Sequence, residues 1–228
     1  MTSRHWRRWS WLCVVGSAFY AVGGFGAAQE IGRLYAKRPP PGSAFVRVAI
    51  TGVQRAGHDG EMNGVSLSGG KDDFASRYRA IRTGFPVELT VNGEAVTEGM
   101  TPLPDRFYTV VVTHDRGGWS GHAIDEGQGS TDDLKAELRF FNLVPGCPAS
   151  LTVANGPTVF EAVASRNFKS RRINPVAAEL QAKCGDRTAS LELPQLRSGD
   201  HYSLFFAQVV DKPLLVGQFD QTESYQDQ

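Results

Sequence analysis

From Gly42 to Val216 the apolar positions form short runs of period two, and no long stretch repeats every 3.6 residues. That pattern predicts strands throughout, with helices few and short. The first run is Ala44 to Ile50. It follows Pro39-Pro40-Pro41, which fixes φ, removes three backbone donors and so favours an extended connector. Apolar residues alternate again at Phe85, Val87, Leu89 and Val91, and Asn92-Gly93 then supplies the two positive-φ positions of a tight hairpin turn. Further strands are expected at Arg106 to Thr113, at Leu151 to Val153 before the Asn155-Gly156 turn, and at Val159 to Val163. Ser190 to Leu193 and His201 to Val210 complete the set. The Gly-, Asp- and Ser-rich stretch from Arg55 to Arg79 reads as a long loop, or as a hairpin around Gly64 to Gly70. His114 to Asp133 carries five glycines and five acids, which makes it the linker candidate. The expected architecture is all-β, with two tandem β-sandwich domains over residues 42–113 and 134–216. Residues 114–133 join them, and 217–228 form a polar tail.

The run Ala44-Phe45-Val46-Arg47-Val48 has an echo in Ala136-Glu137-Leu138-Arg139-Phe140, 92 residues on (136 − 44). Asp105-Arg106-Phe107-Tyr108 is echoed by Asp200-His201-Tyr202-Ser203, 95 residues on (200 − 105). Two readings stand: a duplicated domain, or strands of like composition that match by chance. Phe107-Tyr108, Phe140-Phe141 and Phe205-Phe206 are aromatic pairs at adjacent strand positions. All six read as core at strand spacing; because each pair directs one ring to each face, some of them are expected to be partly exposed or to line a domain interface.

Net charge is zero over 228 residues, and the acids and bases balance at 24 each. The first 28 residues hold Arg4, Arg7 and Arg8 and no acid, so the remainder is slightly acidic. Nothing there suggests a nucleic-acid footprint or a polybasic membrane patch. Residues 1–28 read as a signal peptide, with a basic start, an apolar centre from Leu12 to Val22 and small residues at Gly26-Ala27-Ala28 before Gln29. The rival is an uncleaved inner-membrane anchor, because Trp11 to Ala28 is uncharged and near the minimum for a span. Residues 29–41 form a tether. Removal of the export segment leaves Cys147 and Cys184, and a pair of cysteines in an oxidising compartment predicts a disulfide within the second domain.

Catalytic chemistry is hard to find. Gly118-Trp119-Ser120-Gly121-His122 resembles a nucleophile elbow but has His at its fifth position, and it falls in the expected linker. His58, Asp59 and Glu61 lack the ligand spacing of a metal site, and His114 and His122 are separated by glycines. No catalytic residue, metal or cofactor is expected. Arg171-Arg172-Ile173-Asn174-Pro175-Val176 is the remaining motif. Pro175 holds Asn174 out of the helical region, so the piece is expected to be extended and at a sheet margin. Arg171 or Arg172 then reaches a carboxylate, either within the chain as a clamp (Glu161 or Glu179) or on a partner, while Ile173 and Val176 fasten the segment.

Several of these motifs together resemble the AlgF family of periplasmic accessory proteins in alginate O-acetylation. The resemblance is carried by Leu34-Tyr35-Ala36, by Pro41 to Val48 and by Arg106-Phe107-Tyr108-Thr109-Val110-Val111. It continues through Leu138-Arg139-Phe140-Phe141-Asn142-Leu143 and Arg172-Ile173-Asn174-Pro175-Val176. It implies a periplasmic, non-catalytic adaptor that works beside membrane-bound and periplasmic O-acetyltransferase components on an exopolysaccharide. Ala49-Ile50-Thr51 departs from the aromatic-Asn pattern that Phe141-Asn142 keeps, and the cysteine pair is not a family feature. A relative that serves another acetylated polymer therefore stays open. A polysaccharide-binding module is the alternative, and an acetyl esterase or transferase comes third.

Overall fold

A computed structural model describes residues 38–52, 58–129, 134–209 and 212–224. The signal-peptide and anchor readings, and most of the tether, lie outside the described residues. Among those residues there is no helix. The first eight strands are β1 (Ser43–Thr51), β2 (Gly60–Met62), β3 (Val65–Ser66), β4 (Arg79–Arg82), β5 (Leu89–Val91), β6 (Glu94–Ala95), β7 (Phe107–Asp115) and β8 (Gly118–Gly127). The second eight are β9 (Ala136–Asn142), β10 (Ala149–Val153), β11 (Thr158–Val163), β12 (Asn167–Ile173), β13 (Ala178–Cys184), β14 (Arg187–Leu193), β15 (His201–Val209) and β16 (Lys212–Phe219).

The second set repeats the topology of the first. Sheets ordered β4-β1-β7-β8 and β3-β2-β5-β6 make one sandwich; sheets ordered β12-β9-β15-β16 and β11-β10-β13-β14 make the other. Every strand number in the first pair rises by eight to give the second. Even the unusual feature recurs, since β1 runs parallel to β7 and β9 parallel to β15, whereas the other strand pairs are antiparallel. This is duplication, and the register fixes its offset. Arg47 lies opposite Thr109 and Arg139 opposite Ser203, so Thr109 corresponds to Ser203, 94 residues on (203 − 109). The sequence echo at 95 is one residue out. A slip of one would exchange the two faces of the strand.

Each sandwich has its own core. In the first, Val46, Val48, Tyr108, Val110, Met62 and Leu89 meet between the sheets; in the second, Leu138, Phe140, Leu151, Leu180, Leu204 and Phe206 do so. The alternate residues of β1, β7, β9 and β15 are buried as well. Ala49, Phe74 and Val111 pack with Phe141, Phe205 and Ala207, which joins the outer faces of the two central sheets. Strands covered on both faces read as near-continuous apolar runs, which is why β1, β7 and β15 are conspicuous in the sequence. The aromatic pairs divide as their spacing demands, with Phe140 and Phe206 in a core and Phe141 and Phe205 in the junction.

Two boundary expectations need correction. Residues 114–129 are not linker: β7 continues to Asp115 and β8 pairs with it from Gly118 to Gly127. Glycine content suggested looseness, but these glycines have structural duties. Gly118 (φ 102°) turns the hairpin, and a Cβ on Gly121 would press on Val96 and Val110 at 3.2–3.4 Å. Residues 130–133 lie outside the described set. Likewise 217–224 is no dangling tail. β16 runs to Phe219, and Tyr78 N–H donates to Gln221 O at 2.8 Å while Glu223 N–H donates back to Tyr78 O at 2.8 Å. Polar composition signalled solvent exposure, but here the polar groups are paired.

Candidate functional site

The most concentrated chemistry lies in the junction between the sandwiches. Odd-numbered residues of β1, β7, β9 and β15 face it, and among them are Arg47, Thr109, Arg139 and Ser203. Glu126 is the penultimate residue of β8, and Asp220 follows β16 at the corresponding position, 94 residues on (220 − 126). Two copies of an Arg, hydroxyl and carboxylate set therefore meet face to face, related by the duplication.

Arg47 is fully buried and all three of its nitrogens are engaged. Nε donates to Thr109 Oγ1 at 2.8 Å, Nη1 to Asp220 Oδ1 at 2.6 Å and Nη2 to Ser203 Oγ at 2.9 Å. Its guanidinium lies over the rings of Tyr78, Phe205 and Phe141 at 4.4, 5.1 and 5.2 Å. Arg139 Nη1 donates to Glu126 Oε2 at 3.0 Å and reaches Asp220 Oδ2 at 3.4 Å. The Tyr78 hydroxyl donates to Glu126 at 2.8 Å, and Ser203 Oγ donates to Asp220 at 2.7 Å. Two cations and two anions balance. Desolvation alone would raise the Asp220 pKa, but the charges of Arg47 and Arg139 and the Ser203 hydrogen bond hold it below the ordinary aspartate value. The Tyr78 hydroxyl is pushed well above 10, chiefly by burial.

At the rim of this cluster Glu137 Oε2 lies 3.3 Å from Arg139 Nη2 and 3.0 Å from His201 Nδ1. Burial opposes its charge. The His201 hydrogen bond and the Arg139 charge outweigh burial and bring Glu137 down to about 2. In the first sandwich the equivalent positions are Phe45 and Phe107, whose rings meet at 5.1 Å. Duplication has thus been followed by divergence between an aromatic pair and a polar Glu–His pair.

The cluster ties β1 to the segment after β16, across the whole chain. Its buried groups are satisfied by one another and shielded from solvent, so what it can do is fix one sandwich against the other. Sequence reasoning missed it. The available signal was an Arg recurring mid-strand in both repeats amid apolar neighbours.

The residues singled out from sequence lie elsewhere. Cys147 and Cys184 are bonded, with Cα atoms 5.9 Å apart, and tie the loop after β9 to the end of β13. Arg171 and Arg172 are exposed on β12, the edge strand of its sheet, and Asn174 and Pro175 are exposed just beyond its end. Ile173 packs partly on the second core, whereas Val176 is 50% exposed and fastens nothing. Ser120 is on β8, with its hydroxyl 3.2 Å from Thr113 Oγ1; exposed His122 forms no hydrogen bond with it. His58, Asp59 and Glu61 line a polar cleft of about 340 Å³ together with Ser66, Ser68 and Ser76. There His58 Nδ1 is 3.0 Å from Asn92 Nδ2. Among the described residues no three His, Cys, Asp or Glu side chains converge as a metal site.

Fold and cluster together define a duplicated tandem β-sandwich protein, stapled in its second half by a disulfide. No protein-family model matches the chain, and no curated protein sequence does. Among solved structures, the C-terminal domain of AlgF from P. aeruginosa matches at 28% identity and a TM-score of 0.32, covering 38% of this chain and 98% of that one. A Bacteroides ovatus protein assigned to cell adhesion matches at 9% identity and a TM-score of 0.25, covering 81% and 99% respectively.

Proposed function

We propose that this protein is a non-catalytic periplasmic adaptor of exopolysaccharide O-acetylation, a rigid two-lobed body that holds acetyltransferase components together. One observation carries the reading. The motifs that resemble the AlgF family in β1, β7 and β9 supply Arg47, Thr109, Arg139 and Phe141, and these residues build the buried junction. What is shared with that family, on this reading, is the means of locking two sandwiches into one body, which suits a scaffold. Its most concentrated charged groups are consumed by that junction and cannot meet a polymer. The disulfide fits an oxidising compartment. The test is affinity capture of the tagged, exported chain from gently solubilised membranes. Recovery of a membrane-bound O-acyltransferase or a periplasmic acetyltransferase supports the adaptor; recovery of polymer alone favours a polysaccharide-binding module.

A further inference from the structure

The two repeats treat one matching edge differently. In the first sandwich the edge strand is β4, and a further piece of chain is bridged to Tyr78, the residue just before it. Thr222 forms a parallel bridge with Tyr78, and backbone hydrogen bonds run from Tyr78 to Gln221 and from Glu223 to Tyr78. The added piece is read by its carboxylate. Arg79 Nε and Nη2 grip Glu223 at 2.6 and 2.9 Å, and Ser68 Oγ donates to it at 2.6 Å. Backbone pairing gives sequence-tolerant attachment, and the two-pronged Arg contact selects a carboxylate.

The second sandwich has the same edge in β12. Val46 pairs with Arg79 as Leu138 pairs with Arg171, so Arg171 is the counterpart of Arg79 and Ser170 that of Tyr78. β12 keeps unbroken register with β9 over seven residues and ends its sheet. The Arg171 side chain is exposed and makes no hydrogen bond or ion pair with any described residue. The strand itself is basic, since residues 162–178, between Glu161 and Glu179, include Arg166, Lys169, Arg171 and Arg172 and no acid, within a chain that balances overall. Such an edge repels a copy of itself and admits an acidic strand.

We propose that the edge of β12 around Ser170 and Arg171 is the docking site for an extended acidic segment of a partner protein. The segment adds in parallel to β12, with a carboxylate held by Arg171 as Glu223 is held by Arg79. The proposal rests on the adaptor reading and gives it a surface. The chain supplies its own probe, the peptide Gly-Gln-Phe-Asp-Gln-Thr-Glu-Ser of residues 217–224.

Amide shift mapping on the full chain should show saturable changes at Ser170 and Arg171. Arg171→Glu in the protein, or Glu→Gln in the peptide, should weaken binding about tenfold or more, as expected for loss of a charge-assisted pair. Arg187→Glu, exposed on the same sandwich, should leave it unchanged. Changes confined to Tyr78 and Arg79, changes at β12 indifferent to Arg171→Glu, or none with about 1 mM peptide would each overturn the proposal. Affinity capture separates the two levels. If wild type brings down acetyltransferase components and Arg171→Glu does not, the edge is supported. If both do, the edge is wrong and the adaptor stands. If wild type captures none, the adaptor reading fails, and the peptide result alone decides the edge.

Discussion

Arg47 and Asp220, separated by 173 positions in the chain, are joined at 2.6 Å with both side chains shut off from solvent. One belongs to the first strand of the first sandwich, and the other follows the last strand of the second. Their contact closes the chain on itself and sets the terms on which the protein can be perturbed.

Removing one partner of this pair leaves a buried charge without its counter-ion. Arg47→Ala or Asp220→Ala should each cost about 3–5 kcal/mol and lower the melting temperature accordingly. The double variant Arg47→Met with Asp220→Leu leaves Arg139 and Glu126 as a balanced pair and should recover most of the loss. Urea denaturation of the three variants checks this. Additive losses in the double variant would show that the two side chains act independently.

Glu137 makes stability depend on pH. Its folded-state pKa, about 2, is depressed from 4.5, so its contribution is present in full above about pH 4.5 and is lost as pH falls toward 2. The shift corresponds to something on the order of 3 kcal/mol. Asp220, also depressed, adds a loss of the same sign. Melting temperatures between pH 5 and pH 2 should fall less steeply in Glu137→Gln than in wild type.

The Cys147–Cys184 bond spans 37 positions within the second sandwich. Chain-entropy reasoning gives a disulfide of that span at most about 4 kcal/mol. Cys147→Ser with Cys184→Ser should therefore melt at a markedly lower temperature in denaturation experiments, and reductant should lower wild type toward the double variant.

Asp220 and Glu223 are structural. Truncation after Phe219 removes both Asp220 and Glu223, the partners of Arg47 and Arg79. It should destabilise the first sandwich, where neither carboxylate's own strand lies, and faster amide exchange in β1 and β4 would report it.

How far the sequence alone discloses this molecule depends on which physical signal each part leaves. Strands buried on both faces, such as β1 and β15, declare themselves as apolar runs, and Asn92-Gly93 (φ 52° and 79°) marks a hairpin that only such residues make easily. Cysteine parity was enough to expect the disulfide. β8 was hidden because its inward positions alternate Trp119 with Gly121, and a strand that packs through the absence of a side chain resembles a loop. The ionic cluster was hidden for a related reason. Arg47 and Asp220 have the composition of surface residues, and only the fold brings each to the other. Arg171 was legible as a residue, but its counterpart Arg79 gained meaning only when the β4 edge was seen to be covered.

The adaptor account is tested most directly by the acetyl content of the exopolysaccharide, measured by proton NMR, from cells that lack this chain and from cells complemented with variants. Deletion should abolish O-acetylation while polymer is still made. Wild type, Ser120→Ala, His122→Ala and His58→Ala should all restore it, because none of these side chains is asked to do chemistry. Unchanged acetylation after deletion would contradict the account. So would a Ser120→Ala, His122→Ala or His58→Ala protein that is folded, exported and abundant but leaves the polymer bare.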